Sequence, residues 1–420
     1  MAMASSEGDI SSFPTVRSTS ELSMPITTPS TTTCGIDEGC DPLLRAHNQA
    51  NECTTAVYKF VLTGGPCAGK TTALKHMNQF FTDKGFRVFT VPEAATTMFT
   101  NGITLQDLDH AKYAFQWSIL QLQMELEDSF ERIARVCGQP SILLCDRGLM
   151  DGSVYMASHE WDCLVKANGM NELTLRDGRY DGIFHLVTAA AGAEEHYSLD
   201  NNEARSEPVQ LAREVDLKTE LAWLGHPRHM VFDNSTPFEA KIERVIRAAS
   251  RLVGLLCLPR RAGKFLLVQS PPPVDEFPVK AIEFEAEKVF LKRRDEEDDE
   301  ERHGSVLTDD NIARVSSESY LEKRGRDDLF VHSITTFSTY EDGSVSEVTR
   351  PISSAQHHKI KVDRADSTRP TVRQRRVTFL WECQMFELHT DVEPSYSVSV
   401  LHRRSEGGEL SLPTFLCVED

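Results

Sequence analysis

The chain has 420 residues, and its 64 acidic against 45 basic side chains give a formal net charge of −19. Such an excess weighs against nucleic acid as a partner, because neutralising a phosphate backbone needs a basic face. Hydrophobic residues at 40% and charged residues at 26% suit a globular chain that is too long for one ordinary core and has the length for two domains and an arm.

Residues 1–55 are rich in Ser and Thr with several Pro ("STSELSMPITTPSTTTC") and show no apolar periodicity, so they read as a disordered arm. From residue 56 the pattern is that of an α/β domain running to 262. Apolar runs at 58–63, 86–91, 141–146, 182–188 and 228–233 alternate with helix-length segments. Five such strands joined by helices predict a parallel five-stranded sheet covered on both faces, with ligands at the carboxyl ends of the strands. Thr236 as N-cap and Pro237 at the first helical position predict a closing helix to Leu258.

The first strand runs into "TGGPCAGKTT", in which Gly64-x-x-x-x-Gly69-Lys70-Thr71 has the phosphate-loop spacing, with a strand before it and a helix after. Gly64, Gly65 and Gly69 let the backbone turn its N–H groups inward, and Pro66, Cys67, Ala68 and Thr72 complete the loop. Lys70 is placed to bridge the outer phosphates, and the Thr71 hydroxyl to join a Mg²⁺ shell. Asp146, ending the apolar run "SILLCD", is the expected second group for that metal, and Arg147 the guanidinium beside the phosphates.

Glu93, just past the second strand, has two readings: acceptor of a proton from an attacking hydroxyl, or an acid at a helix N-terminus. Arg205 and Arg213 stand in a polar helical segment after the fourth strand, where a closing lid would place cations over a transferred phosphoryl; the alternative is a solvated helix face. Gln116 is a helix-face polar residue or a substrate contact. No Asn-Lys pair occurs, so the guanine signature is absent and the nucleotide is GTP or ATP; Asn234 in "FDNST" is the candidate base contact.

Residues 263–420 read as a β-rich antiparallel domain, with strands at 264–269, 280–291, 328–340, 344–352, 374–389 and 396–403. Seven consecutive acids at 295–301 lie within an insertion expected at about 293–310. No apolar run approaches the roughly 18 residues needed to span a bilayer, and the N-terminus lacks the basic-then-apolar order of a secretory signal. Ten cysteines without a Cys-x-x-Cys pair point to reduced thiols. The expected location is cytoplasmic, with any membrane contact peripheral.

The segments "KFVLTGGPCAGKTT", "VPEAATTM", "FQWSILQLQMELE", "LLCDRGLMDGSVYM", "NNEARSEP" and "AWLGHPRHMVFDN" resemble, in this order, the NadR-like branch of phosphate-loop kinases. "EFEAEKVFL", "EKRGRDDLF", "VRQRRVTFLW" and "FLCVED" are similar to the CYTH or triphosphate-tunnel type. The combination resembles the TRPL translocation defect protein family. That resemblance implies nucleotide binding with GTP suggested, phosphoinositide binding, trafficking protein partners and a CYTH-like barrel. The CYTH pattern Glu-x-Glu-x-Lys is altered here to Glu283-x-Glu285-x-Glu287-Lys288, which turns the three glutamates to one face and Lys288 to the other. Lys323, Arg324 and Arg326 on one strand and Arg373, Arg375 and Arg376 on another would, if those strands were neighbours, form a patch for lipid headgroup phosphates; the alternative is a solvated edge.

Overall fold

The computed structural model describes residues 56–197, 209–255, 263–293, 314–341, 343–393, 399–403 and 410–419, all within one compact unit spanning Ala50–Asp420. The expected arm, Arg205 and nearly all of the acidic insertion lie outside the described residues.

The buried apolar runs β1 (Val57–Thr63), β2 (Arg87–Val91), β3 (Ser141–Asp146), β4 (Gly182–Leu186) and β5 (His229–Phe232) form a parallel sheet in the order β2-β3-β1-β4-β5. Helices cover both faces, as a sheet without a polar side requires. Leu74, Met77 and Phe81 of α1 (Lys70–Asp83) share a core with Ile242 and Val245 of α7 (Phe238–Leu252). α2 (Ala94–Thr100) follows β2. The opposite face is covered by α3 (Leu105–Val136), kinked at Ala111, and α4 (Ser158–Ala167), with Trp161, Leu164 and Trp223 in the core. The short α5 (Glu172–Asp177) precedes β4, and α6 (Val209–Ala222) precedes β5.

The closing helix starts later and stops earlier than expected. Pro237 is its extended N-cap, and Gly254 at φ 81° ends it, with Gly254 N donating to Arg251 O and Leu255 N to Ser250 O. Glycine at this left-handed position closes the helix through those two reversed bonds.

Residues from Lys264 on form an antiparallel sheet of nine strands. These are β6 (Lys264–Leu267), β7 (Ala281–Phe290), β8 (Arg314–Arg326), β9 (Leu329–Tyr340), β10 (Val345–Ile352), β11 (Val372–Trp381), β12 (Gln384–Glu393), β13 (Ser399–Arg403) and β14 (Val418–Glu419). Their order is β10-β9-β8-β7-β11-β12-β13-β6-β14, so the expected barrel is not closed by pairing of its edge strands among the described residues. The run 374–389 is a hairpin rather than one strand, because Glu382 and Cys383, at φ 48° and 56°, form a tight turn without glycine. β8 begins earlier than the basic cluster that ends it. Helix α8 (Ser354–Arg364), absent from the expectation, covers Val289 and Leu321 with Ile360.

The two sheets are in contact. β10 lies against α7, and Leu380 and Met385 of the hairpin pack with Val187, Leu224 and Val231. Among the described residues no helix is long and apolar enough to cross a membrane.

Candidate functional site

β1 delivers the chain to Gly64, whose φ of 137° and 2.1 Å separation between an imagined Cβ and Leu186 O exclude any side chain. The loop turns through Cys67 at φ 54° to Gly69 at φ 86°, which is the N-cap of α1. No side chain caps this helix, so its first N–H groups and the positive end of its dipole are left for an anion. Pro66 O and Cys67 O are held from behind, by the Thr188 hydroxyl and by Ala189 N at 3.3 Å. Ala68 is buried against Gly64, while Thr71 and Thr72 are exposed on the first turn.

Lys70 Nζ donates to Gly64 O and Gly65 O, both at 2.9 Å. Burial and the nearby Arg147 charge lower its pKa to about 8, against the pull of Asp146, Glu93 and Asp151. Asp146 ends β3 opposite Leu62 of β1, and its Oδ1 is buried without a hydrogen-bond partner. Desolvation raises its pKa, with Lys70 opposing and Glu93 reinforcing that rise. An orphaned, buried carboxylate oxygen beside exposed Thr71 fits a divalent cation, which would repay the desolvation.

Arg147, at φ 69°, pairs with Glu93 Oε1 at 2.8 Å and lies 3.9 Å from Asp151 Oδ1. Burial works to lower its pKa, but Tyr155, Asp151, Glu93 and Asp146 together hold it above the ordinary value. Glu93 occupies the N-cap position of α2, and its second oxygen accepts from the Thr96 hydroxyl at 2.8 Å. Thr71, Asn78, Thr90, Glu93, Thr97 and Asp146 line one open cleft of about 770 Å³ between α1, β2 and α2. Most of the residues lining it carry a hydroxyl, amide or carboxylate group.

Other expected residues lie elsewhere. Arg213 donates to Ala190 O at 2.5 Å and to Glu194 Oε1 at 2.6 Å, tying α6 to the loop after β4. Asn234 Nδ2 donates to Thr188 O and Ala191 O at 2.8 and 2.7 Å, and its Oδ1 accepts from Lys241 Nζ at 2.7 Å. Both amide hydrogens and the amide oxygen are thus engaged within the protein. Gln116 is buried beside Gly152, with Oε1 unpartnered, rather than on a solvated helix face.

Residues 59–241 match the family model described as an AAA domain. The match covers the first sheet and ends inside α7. This segment is therefore similar to phosphate-loop nucleotide-binding domains, which implies a nucleotide with magnesium. No curated protein matches the chain.

Three residues that motif spacing did not single out join this site from behind. Asp151 is buried, accepting from the Thr63 hydroxyl, from Gly148 N at 2.7 Å and from Trp223 Nε1 at 3.3 Å. Asp216 accepts from Gly65 N at 2.6 Å. Phe238, 38% exposed at the start of α7, lies against Gly69, with ring carbon Cε2 2.4 Å from where a Cβ would be. Asp151 was legible as the acid four residues after Arg147; the other two reach the loop only through the fold.

The basic cluster of the second sheet is divided. β7 lies between β8 and β11, so the two strands bearing these residues are not neighbours. Arg324 and Arg376, 3% and 2% exposed, face a cavity of about 380 Å³ that is also lined by Arg228 and His229 of the parallel-sheet region. Arg376 donates to Glu322 and Glu387, and Arg324 to Asp177 Oδ2 at 3.0 Å. On the other side, Arg373 pairs with Glu287 and Glu393, and Arg375 lies 3.5 Å from Glu283. Lys323 Nζ sits 3.8 Å above the Phe330 ring, and Arg326 is 4.0 Å from Asp327. The six residues form no common patch.

Proposed function

We propose that the protein binds a nucleoside triphosphate with Mg²⁺ at residues 64–72 and transfers its γ-phosphoryl to a hydroxyl of a small polar acceptor held in the adjoining cleft. The observation that carries this reading is the cleft itself, because Thr71 and Asp146 share it with Glu93. A hydrolytic or signalling loop needs the metal groups alone; an acceptor site needs room beside them.

In this reading Lys70 leaves its two carbonyl partners for the phosphates, Thr71 and Asp146 hold the metal, and Phe238 offers a ring face to the base, GTP or ATP. The metal supplies charge neutralisation along the phosphates. The acceptor oxygen attacks the γ-phosphorus, the bond to the β-bridging oxygen breaks, and the acceptor proton passes to the Glu93 carboxylate. Arg147, fixed by Glu93, stands beside the charge that develops. Arg205 would belong to the segment between the cleft-bearing domain's fourth strand and α6, and Arg213 anchors that segment.

The test is a panel of nucleoside triphosphates with Mg²⁺, read as binding and as phosphoryl transfer to polyhydroxylated acceptors. Lys70→Ala is expected to weaken binding at least 100-fold. Glu93→Gln is expected to keep binding and lose transfer by about 10²-fold or more. Equal affinity for Lys70→Ala and the parent protein would refute the nucleotide site. Binding without any turnover in the parent would remove the transferase half.

A second reading follows the resemblance to the trafficking family: GTP binding coupled to recognition of a phosphoinositide and of protein partners, with 56–262 and 263–420 as separate domains. The cavity between the sheets favours it, since Arg324 Nε and Nη2 are buried there without partners. A phosphorylated headgroup would have to reach that interior, because the outward-facing arginines are already paired with glutamates.

A further inference from the structure

α6 reaches the phosphate loop through a carboxylate. Asp216 is 5% exposed. Its Oδ1 accepts from Gly65 N at 2.6 Å and its Oδ2 from Thr188 N at 3.2 Å, so one carboxylate spans the phosphate loop and the loop after β4. His185 Nε2 lies 3.2 Å from the same Oδ1, inside the sheet. Its pKa is raised, Asp216 opposing the lowering effect of burial, and the Asp216 pKa is lowered, because His185 and the Gly65 and Thr188 N–H groups together outweigh desolvation.

These bonds close a ring. Thr188, held by Asp216 through its N–H, donates its own hydroxyl to Pro66 O. Thr188 O in turn accepts from Asn234, whose Oδ1 is held by Lys241. One turn earlier on α6, Arg213 binds Ala190 O at 2.5 Å. The first half of the phosphate loop is therefore set by groups that depend on α6 being docked. There is no spare room at the contact, since a methyl added at Gly65 would lie 2.8 Å from the Asp216 carboxylate oxygen.

We propose that Asp216 is the positioning residue of the phosphate loop, a buried carboxylate on α6 that fixes the Gly65 amide and so makes triphosphate affinity depend on the docking of that helix. The inference rests on the nucleotide reading given above. It assigns Asp216 no contact with the nucleotide; the residue acts through Gly65 and Thr188. A charge-assisted hydrogen bond of this kind is worth enough to shift affinity by about 10- to 100-fold if it is spent on holding the bound shape of the loop.

The experiment is a double-mutant cycle on Mg²⁺-nucleotide affinity, with thermal unfolding of each variant measured alongside. Asp216→Ala is expected to weaken binding about 10-fold or more. Asp216→Asn, which keeps one acceptor oxygen for Gly65 but opposes Thr188 N–H with its own N–H₂, is expected to recover part of that loss. Gly65→Ala is expected to weaken binding by a similar factor, because its methyl displaces the carboxylate. In the combined variant the carboxylate that Gly65→Ala already displaces from the loop is absent, so its removal costs little more and the losses should fall well short of multiplying. Losses that multiply, or Asp216 variants that bind as the parent does, would overturn the inference and leave the nucleotide site standing. A cycle on Gly65→Ala and Asp216→Asn answers the same question if Asp216→Ala does not fold. Failure of the parent to bind any triphosphate would instead remove the site on which the inference rests.

Discussion

Lys70 and Asp146 at the rim of the parallel sheet, and Arg376 and Glu322 inside the antiparallel one, are four charged groups taken largely out of water with opposite results. Among the described residues Lys70 bonds only backbone carbonyls and Asp146 keeps an unpartnered oxygen. Arg376, by contrast, makes a forked pair with Glu322 at 2.8 and 3.3 Å and reaches Glu387 at 3.3 Å. The first pair pays a desolvation penalty that a bound ligand can offset; the second has already offset it within the protein. Charge in the first region is poised for something absent from the chain, whereas charge in the second is mostly structure.

The largest expected effect breaks the second region alone. Arg376→Ala removes the forked partner of the largely buried Glu322, leaving it the Lys288 charge 3.8 Å away, and is expected to cost about 3–5 kcal/mol. The Arg376 and Lys288 charges hold the Glu322 pKa down to about 2 against desolvation, from the ordinary 4.5. A lowered carboxylate pKa stabilises the fold above pH 4.5, and the gain is lost as pH falls toward 2. The variant should therefore lose most at neutral pH and least near pH 2, read by denaturant unfolding. Nucleotide affinity of the folded fraction should stay at the parent value; a parallel loss of binding would show that the two regions do not divide as described.

How much of this was legible in sequence differs by region for the same physical reason. In the parallel sheet a strand, a turn and a helix are contiguous, so residues 63–72 specify their own geometry, and Asp146 follows from a buried run that must end at the same rim. Asp216 could not be read this way. Nothing local marks it off from Glu214 or Glu220 on the same helix, and its partner Gly65 is 151 residues away. In the antiparallel sheet the faces of β7 were readable from a period of two, and Glu283 and Glu287 do pair on the side opposite to Lys288. Strand order was not, because the long connection from β7 to β8 and the intervening β8–β10 meander leave β11 free to pair at either edge. That uncertainty is why a patch of six basic residues could be stated only on the condition that their two strands were neighbours.

A smaller effect sharpens the first region. Glu220 is 5% exposed, its Oε1 has no partner, and burial pushes its pKa up from 4.5 to about 7, with Asp216 adding to the rise and His185 opposing it. The Cys383 thiol, which Glu220 helps to push up to about 12 alongside burial, faces the same group from the β11–β12 turn. For an acid with a raised pKa, stability is greatest below 4.5 and declines as pH rises to about 7, a cost of ~3 kcal/mol at most above that. Glu220→Gln removes the titration, so it should raise the unfolding midpoint at pH 8 by several degrees and change it little at pH 5. A stabilisation that is the same at both pH values would assign the effect to packing rather than to charge.

The smallest effect concerns the outward face. Arg373 is 57% exposed in its pairs with Glu287 and Glu393, and Arg375 is 44% exposed beside Glu283. Exposed pairs of this kind contribute about 0–1 kcal/mol each, so Arg373→Ala with Arg375→Ala should barely move the unfolding midpoint. Their glutamate partners also cancel the field that an anionic membrane would need, which predicts that recovery on phosphoinositide vesicles is the same for this double variant and for the parent. Arg324→Ala tests the interior instead: its two unpartnered nitrogens face the cavity between the sheets, and a phosphorylated headgroup held there would lose binding with that substitution while tolerating the other two. Reduced recovery of the Arg373 and Arg375 variant would put the lipid contact on the outer face after all, and would mean that the glutamate pairs open when a membrane is present.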